Sequence, residues 1–165
     1  MPKATVDFTA AGRVAKRAEL KSVRVIEVSA KCDPQIAAPL EPTVNLECSV
    51  ALQEANTLQI ACNCHFAAHT TQAQVAQAEI KYLIIYEIQG TEPLAPGDVA
   101  EFATSNGTLN AWPFLREFLY GLTSKMGYPA YVLPTFHFVP KPLEKKESME
   151  KSKPQAELTK SEPKA

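Results

Sequence analysis

The chain has 165 residues, with 17 Lys or Arg against 18 Asp or Glu and a formal charge of -1, a length that fits one domain whose core needs neither disulfide nor metal as a staple. Near-neutral charge, with no basic cluster interleaved with aromatic residues, gives no electrostatic grip on nucleic acid or on an anionic membrane. No apolar run approaches the roughly 20 residues of a spanning helix, and the N-terminus lacks the regions of a signal peptide; a cytoplasmic protein is expected, with Cys32, Cys48, Cys62 and Cys64 reduced.

Residues 1–13 are small and polar without sustained periodicity, so a flexible leader is expected ahead of a domain over 14–139. Helix and strand compete from Val14 to Ala18. Leu20 to Ser29 concentrates β-branched residues and reads as the first strand, its imperfect alternation pointing to a bulge or to burial on both faces. Ala30 to Pro42 holds Pro34, Pro39 and Pro42 and must be an extended connection. Connections of that length are often functional.

Val44 to Leu52 alternates apolar residues with Asn45, Glu47 and Ser49, and Leu58 to Phe66 repeats the pattern, with a hairpin turn at Glu54 to Thr57 between them. Val75 to Gly90 forms a fourth strand. Its centre, Tyr82 to Tyr86, is apolar on both faces, so a helix or another subunit is expected to cover the second one. After a turn at Thr91 to Gly97, a short helical segment from Asp98 to Thr104 is expected, broken by Ser105-Asn106-Gly107.

Asn110 to Met126 then sets Leu115, Phe118, Leu119, Leu122 and Met126 at three- and four-residue spacings, which predicts a helix burying one stripe. Asn110 can cap it, Pro113 is tolerable only in a first turn, and Gly127 with Pro129 ends it. Residues 127–138 carry Tyr128, Tyr131, Phe136 and Phe138 among prolines and must be extended. Either these rings staple the helix to the sheet or they line a groove open to apolar chains. From Pro140 to Ala165 lysines and glutamates dominate, and a disordered tail is expected.

Cys62-Asn63-Cys64-His65 looks like half a zinc site, but on a strand both thiols point one way and His65 the other, with no second ligand pair at finger spacing. Buried apolar thiols are the better reading. A cysteine nucleophile paired with His65, His69 or His137 has no flanking motif, and no glycine-rich phosphate loop exists. An enzyme or small-ligand domain using the aromatic pocket is the alternative of another class.

Trp112-Pro113-Phe114-Leu115-Arg116-Glu117, followed by Tyr128-Pro129, Leu133-Pro134 and Phe138, with Leu20, Val23, Val25, Val28 and Ser29 upstream and Glu79 to Gly90 between, resembles the SecB family of protein-export chaperones over about residues 17–139. The resemblance implies an α+β subunit, a four-stranded antiparallel sheet with one long helix packed on it, assembled as a homotetramer by pairing dimers. It implies no enzymatic activity and no cofactor, but an ATP-independent chaperone holding unfolded polypeptide clients, such as preproteins for export. The implied client groove is Leu40, Val44, Leu46 and Cys48 with Leu133 and Phe138; Tyr131 and Phe136 join it on their aromatic character alone. Glu27 and Glu79 fit the acidic pattern through which family members meet the SecA motor, whereas Lys31 stands where another acid is usual. The second helix of the family is replaced by Val139-Pro140-Lys141-Pro142 and the charged tail. Some SecB-like proteins hold the antitoxin of a toxin-antitoxin pair, which is the second reading.

Overall fold

The computed structural model describes residues 3–34 and 40–141; all but the first two residues of the expected disordered tail, 140–165, and the middle of the proline-rich connection, 35–39, lie outside the described residues. Four strands form one antiparallel sheet: β2 (Ala18–Cys32), β3 (Glu41–Gln53), β4 (Thr57–His69) and β5 (Gln74–Ile88), in the order β2-β5-β4-β3. The hairpin tip closes through Glu54 N donating to Thr57 O at 2.9 Å. Strand β2 is longer than its β-branched run and carries two register shifts against β5, at Leu20/Ser22 and Val25/Glu27.

A third shift, at Val50/Leu52, decides which face of β3 is buried. The pairs Gln53↔Leu58 and Leu52↔Gln59 would, if continued, set Cys48 opposite Asn63 and turn Glu47 toward the core. One bulged residue, Ala51, moves the register so that Val50, Cys48, Leu46 and Val44 face Ile60, Cys62, Cys64 and Phe66. The core follows from that choice: Leu58, Ile60, Cys62 and Cys64 of β4 and Ile80, Tyr82, Ile84 and Tyr86 of β5 lie on the covered face. Each fully buried aliphatic side chain there contributes about 1.5–3 kcal/mol. On the opposite face Leu83 and Ile85 remain half-buried, and among the described residues no helix covers them.

The covering layer is one uninterrupted helical run rather than a short helix, a break and a second helix. It consists of α2 (Pro96–Phe102), a π-helical turn (Ala103–Gly107) and α3 (Thr108–Lys125). Ser105-Asn106-Gly107 does not break it, because Gly107 is pressed so close to the sheet that a Cβ there would meet Ile60 Cγ2 at 3.0 Å and Cys48 Cβ at 3.1 Å. Asn110 is therefore no cap. Its amide donates instead to Tyr86 Oη at 2.7 Å. Pro113 lies inside the helix, not in a first turn, leaving the Leu109 carbonyl without its helical donor.

At the other end the expected stop holds. Gly127 has φ +82°, its N–H meets Ser124 O at 3.1 Å and the next N–H, of Tyr128, meets Thr123 O at 3.0 Å. This pair of bonds is the Schellman closure, which needs a residue without a Cβ penalty at positive φ.

The N-terminal residues correct the expectation of a loose leader. They form β1 (Lys3–Val6) and α1 (Phe8–Ala15), with Val6, Ala10, Ala11 and Val14 buried. Asp7 caps α1, its Oδ1 accepting from Thr9 N and Ala10 N. The helix is clamped to α2 by Arg13, whose Nε and Nη2 reach the two Asp98 oxygens at 2.6 and 2.5 Å. Strand β1 pairs in parallel with β6 (His137–Pro140). Lys141 bonds Glu101, so the ordered domain extends past 139.

Cys48 and Cys62 correct a second expectation. The bulge sets them directly opposite one another, 4.1 Å apart at Cα, and they form a disulfide instead of staying reduced.

Candidate functional site

The chain that leaves α3 doubles back along it. Tyr131 N donates to Thr123 Oγ1 at 2.9 Å, Arg116 Nε to Leu133 O at 2.8 Å and Trp112 Nε1 to Pro134 O at 2.9 Å. Tyr128 fixes the turn by donating to Asp33 O at 2.8 Å. Proline spacing keeps this segment extended, and helix side chains satisfy the carbonyls that an extended chain cannot pair for itself.

Between this segment and β3 runs an apolar strip. Leu40, Val44, Leu46, Cys48, Tyr131, Phe136 and Phe138 are all half-buried and pack against the core from its edge. At one end an open cleft of about 170 Å³ is lined by Leu40, Pro42, Phe66, Tyr128, Pro129 and Tyr131 among others. Tyr131 faces Phe66 with ring centroids 5.9 Å apart, and burial pushes the pKa of its hydroxyl up. At the other end Phe136 packs on Trp112 and Phe138, both at 4.8 Å, and Phe138 meets Phe8 edge-on at 5.9 Å. Phe136 and Phe138 staple the segment down, while Tyr131 stands beside the cleft.

Leu133 does not belong to the strip. It is fully buried, at 0% exposure, because its carbonyl bond to Arg116 turns its side chain inward. Phe66 and Pro42 were not singled out as site residues in the sequence, and Tyr128 was named only among the rings weighed for a groove. Phe66 could have been found from the alternation of its strand, since it shares the buried face with Cys62 and Cys64.

The thiols offer little chemistry. Cys48 and Cys62 are bonded to one another, and burial pushes the Cys64 thiol up to about 12, far from a reactive thiolate. His65 is exposed on the opposite face, as alternation requires. Among the described residues no three His, Cys, Asp or Glu side chains converge as a metal site, and no helix is long and apolar enough to cross a membrane.

Glu27 and Glu79 lie on that opposite face too, but neither is bare. Glu27 Oε2 sits 2.6 Å from Lys81 Nζ, and Glu79 Oε1 lies 3.8 Å from His65 Nδ1.

This arrangement, a bulged four-stranded sheet under one long helix with a returning extended segment, is the SecB-like fold. Over 78% of this chain and 97% of the other it matches the SecB-like chaperone of Mycobacterium tuberculosis, solved in complex with a ChAD peptide from the HigA1 antitoxin, with a TM-score of 0.71 at 22% identity. A second solved chain, a protein of unknown function from Streptococcus agalactiae, aligns over 72% of this chain with a TM-score of 0.46 and 12% identity. No family model matches the sequence, and no curated protein does.

Proposed function

We propose that this protein is a polypeptide-holding chaperone, binding extended apolar stretches of unfolded clients in the strip between β3 and residues 128–138. The observation that carries this reading is the open apolar cleft of about 170 Å³ at the end of the strip, lined by Leu40, Pro42, Phe66, Tyr128 and Tyr131 among others. Buried at about 25 cal/mol per Å², a client segment of modest length gathers enough free energy to be held without any one residue being read. Holding competes with client folding by mass action and needs no nucleotide or metal. The protein is accordingly taken as a non-enzymatic, cytoplasmic homotetramer, with preproteins for export as one client class.

A second reading is service to one antitoxin. It is favoured by the peptide bound to the Mycobacterium tuberculosis chaperone. Handover to SecA through Glu27 and Glu79 has weaker support, since each carboxylate already faces a basic side chain.

The test is suppression of aggregation of an unfolding client by Leu40→Ser with Tyr131→Ser, both at the cleft. Loss of holding with the oligomer intact supports the reading; full retention overturns it. Phe136→Ser with Phe138→Ser is the companion pair, expected to lower holding and stability together because those rings also pin the segment to Trp112. Isolating bound clients from cells separates the two services, envelope precursors pointing to export and one small regulator to the antitoxin.

A further inference from the structure

We infer that the Cys48–Cys62 disulfide is a redox-sensitive fastening on the client strip, closed for tight holding and opened by a dithiol reductant. The inference rests on the proposed holding function and adds its regulation. The bond joins the middle of β3 to β4, and among the described residues β3 pairs with β4 alone. Val44, Leu46 and Cys48 of that strand wall the strip. One covalent link therefore fastens the wall on which clients are laid. In the cytoplasm proposed for this protein thiols are kept reduced, and the disulfides found there are mostly transient ones that sense or catalyse.

The two sulfurs are not equally open. Cys62 is 0% exposed, whereas Cys48 is half-buried and lines the strip. The helical layer presses on Cys48 from the core side. A Cβ on Gly107 would stand 3.1 Å from Cys48 Cβ and 3.5 Å from its Sγ, and Thr108 Oγ1 donates to that sulfur at 3.7 Å. Two free thiols take more room than two bonded sulfurs. With the helix on one side that room lies toward the strip, so breaking the bond is felt where clients sit.

The step is thiol–disulfide exchange. A thiolate of the dithiol attacks the Cys48 sulfur, the bond to Cys62 breaks, and Cys62 leaves as a thiolate that takes up a proton. The second thiolate of the reductant then displaces Cys48, which is protonated in turn, and the reductant departs as its own disulfide. Two electrons and two protons have passed to the protein. Cys64, two positions from Cys62 on the same face, stays out of the exchange, because burial pushes its thiol up to about 12 and keeps it protonated. Once reduced, β3 keeps its ladder to β4 but loses the link. A wall in place for about a tenth to a third of the time weakens apparent affinity about three- to tenfold.

The test titrates the full chain with fluorescent, reduced and carboxymethylated α-lactalbumin as a permanently unfolded probe. The protein is taken first with its disulfide closed, then after reduction by dithiothreitol and removal of the reductant, with thiols counted in each state. The reduced state is expected to bind about three- to tenfold more weakly, and Cys48→Ala with Cys62→Ala to bind alike after either treatment. Equal affinities of the two states overturn the inference, as does tighter binding by the reduced one. A difference that persists in the double variant also overturns it, assigning the effect to Cys32 or Cys64. Hydrogen exchange of the free protein reads the fastening without a client. Amides of β3 should exchange faster after reduction while those of β2 stay as they were. Unchanged exchange in β3 overturns the fastening and leaves holding intact; a probe that binds neither state removes holding, and with it the client role of the bond.

Discussion

The indole Nε1 of Trp112 donates to the carbonyl oxygen of Pro134 at 2.9 Å, joining the middle of the long helix to the extended chain that returns beside it. Trp112 is only 7% exposed and Phe136 packs on its ring at 4.8 Å, so one side chain both buries area and satisfies a carbonyl. Trp112→Phe keeps an aromatic ring but leaves Pro134 O without a donor. The expected loss is about 1–3 kcal/mol, read as a lower denaturant midpoint with an unchanged slope. Client affinity should fall as well, because the segment that walls the strip is loosened.

Tyr82 carries the opposite prediction. Its ring is 1% exposed, and its hydroxyl has no hydrogen-bond partner among the described residues. Burial pushes the pKa of that hydroxyl well above the usual phenol range. Tyr82→Phe removes an unpaired polar group and leaves the packing in place, so it should be neutral or raise stability by up to about 1–3 kcal/mol. A clear fall in the thermal midpoint would mean that the hydroxyl is paired after all.

The four cysteines should sort into three classes on alkylation followed by mass spectrometry. Cys32 is exposed and should react in the native protein; Cys64 is buried with its thiol pushed up to about 12, and should react only after unfolding. Cys48 and Cys62 should resist even in denaturant until a reductant is added. Labelling of either without reductant contradicts the pairing.

Acid should loosen the N-terminal module first. The Arg13 guanidinium bonded to Asp98 holds that carboxyl below its ordinary value of 3.8, and the bond from Lys141 does the same for Glu101 from 4.5. A folded-state pKa below the unfolded value contributes stability that is present above the ordinary value and is lost as pH falls through the folded one. The clamps on α1 and β6 should thus hold at neutral pH and weaken below about pH 4. Exposure limits the size of the effect. Hydrogen exchange in α1 measured from pH 6 to pH 3 would show it, and Arg13→Gln should abolish the Asp98 part.

Much of this architecture could be read from residue order, because β3 and β4 alternate cleanly and α3 repeats its apolar stripe at helical spacing. The N-terminal helix could not. Phe8 to Ala15 is rich in alanine, contains a glycine and is too short to persist alone; burial of Val14 and the Arg13 clamp hold it, and both depend on where α2 lies. The continuous helix was hidden for a similar reason. Ser105-Asn106-Gly107 breaks helices in water, whereas here Gly107 is what lets the helix approach Ile60 and Cys48. The disulfide was concealed by a single residue, since only the bulge at Ala51 moves Cys48 from Asn63 to Cys62. Within the returning segment, Leu133 is buried where bonds from Arg116 and Trp112 hold the chain against the helix, a contact that the order of residues 131–138 does not show.

The wide turn at Ala103–Gly107 makes α2 and α3 two blades on one shaft. A single residue advances a helix by about 100°, so gaining or losing one inside that turn would re-aim α2, and α1 riding on it, while the part that carries Trp112 and Arg116 stayed in place. The protein thereby holds a point at which its amino-terminal cover can diverge in the course of descent without disturbing the wall beside the sheet.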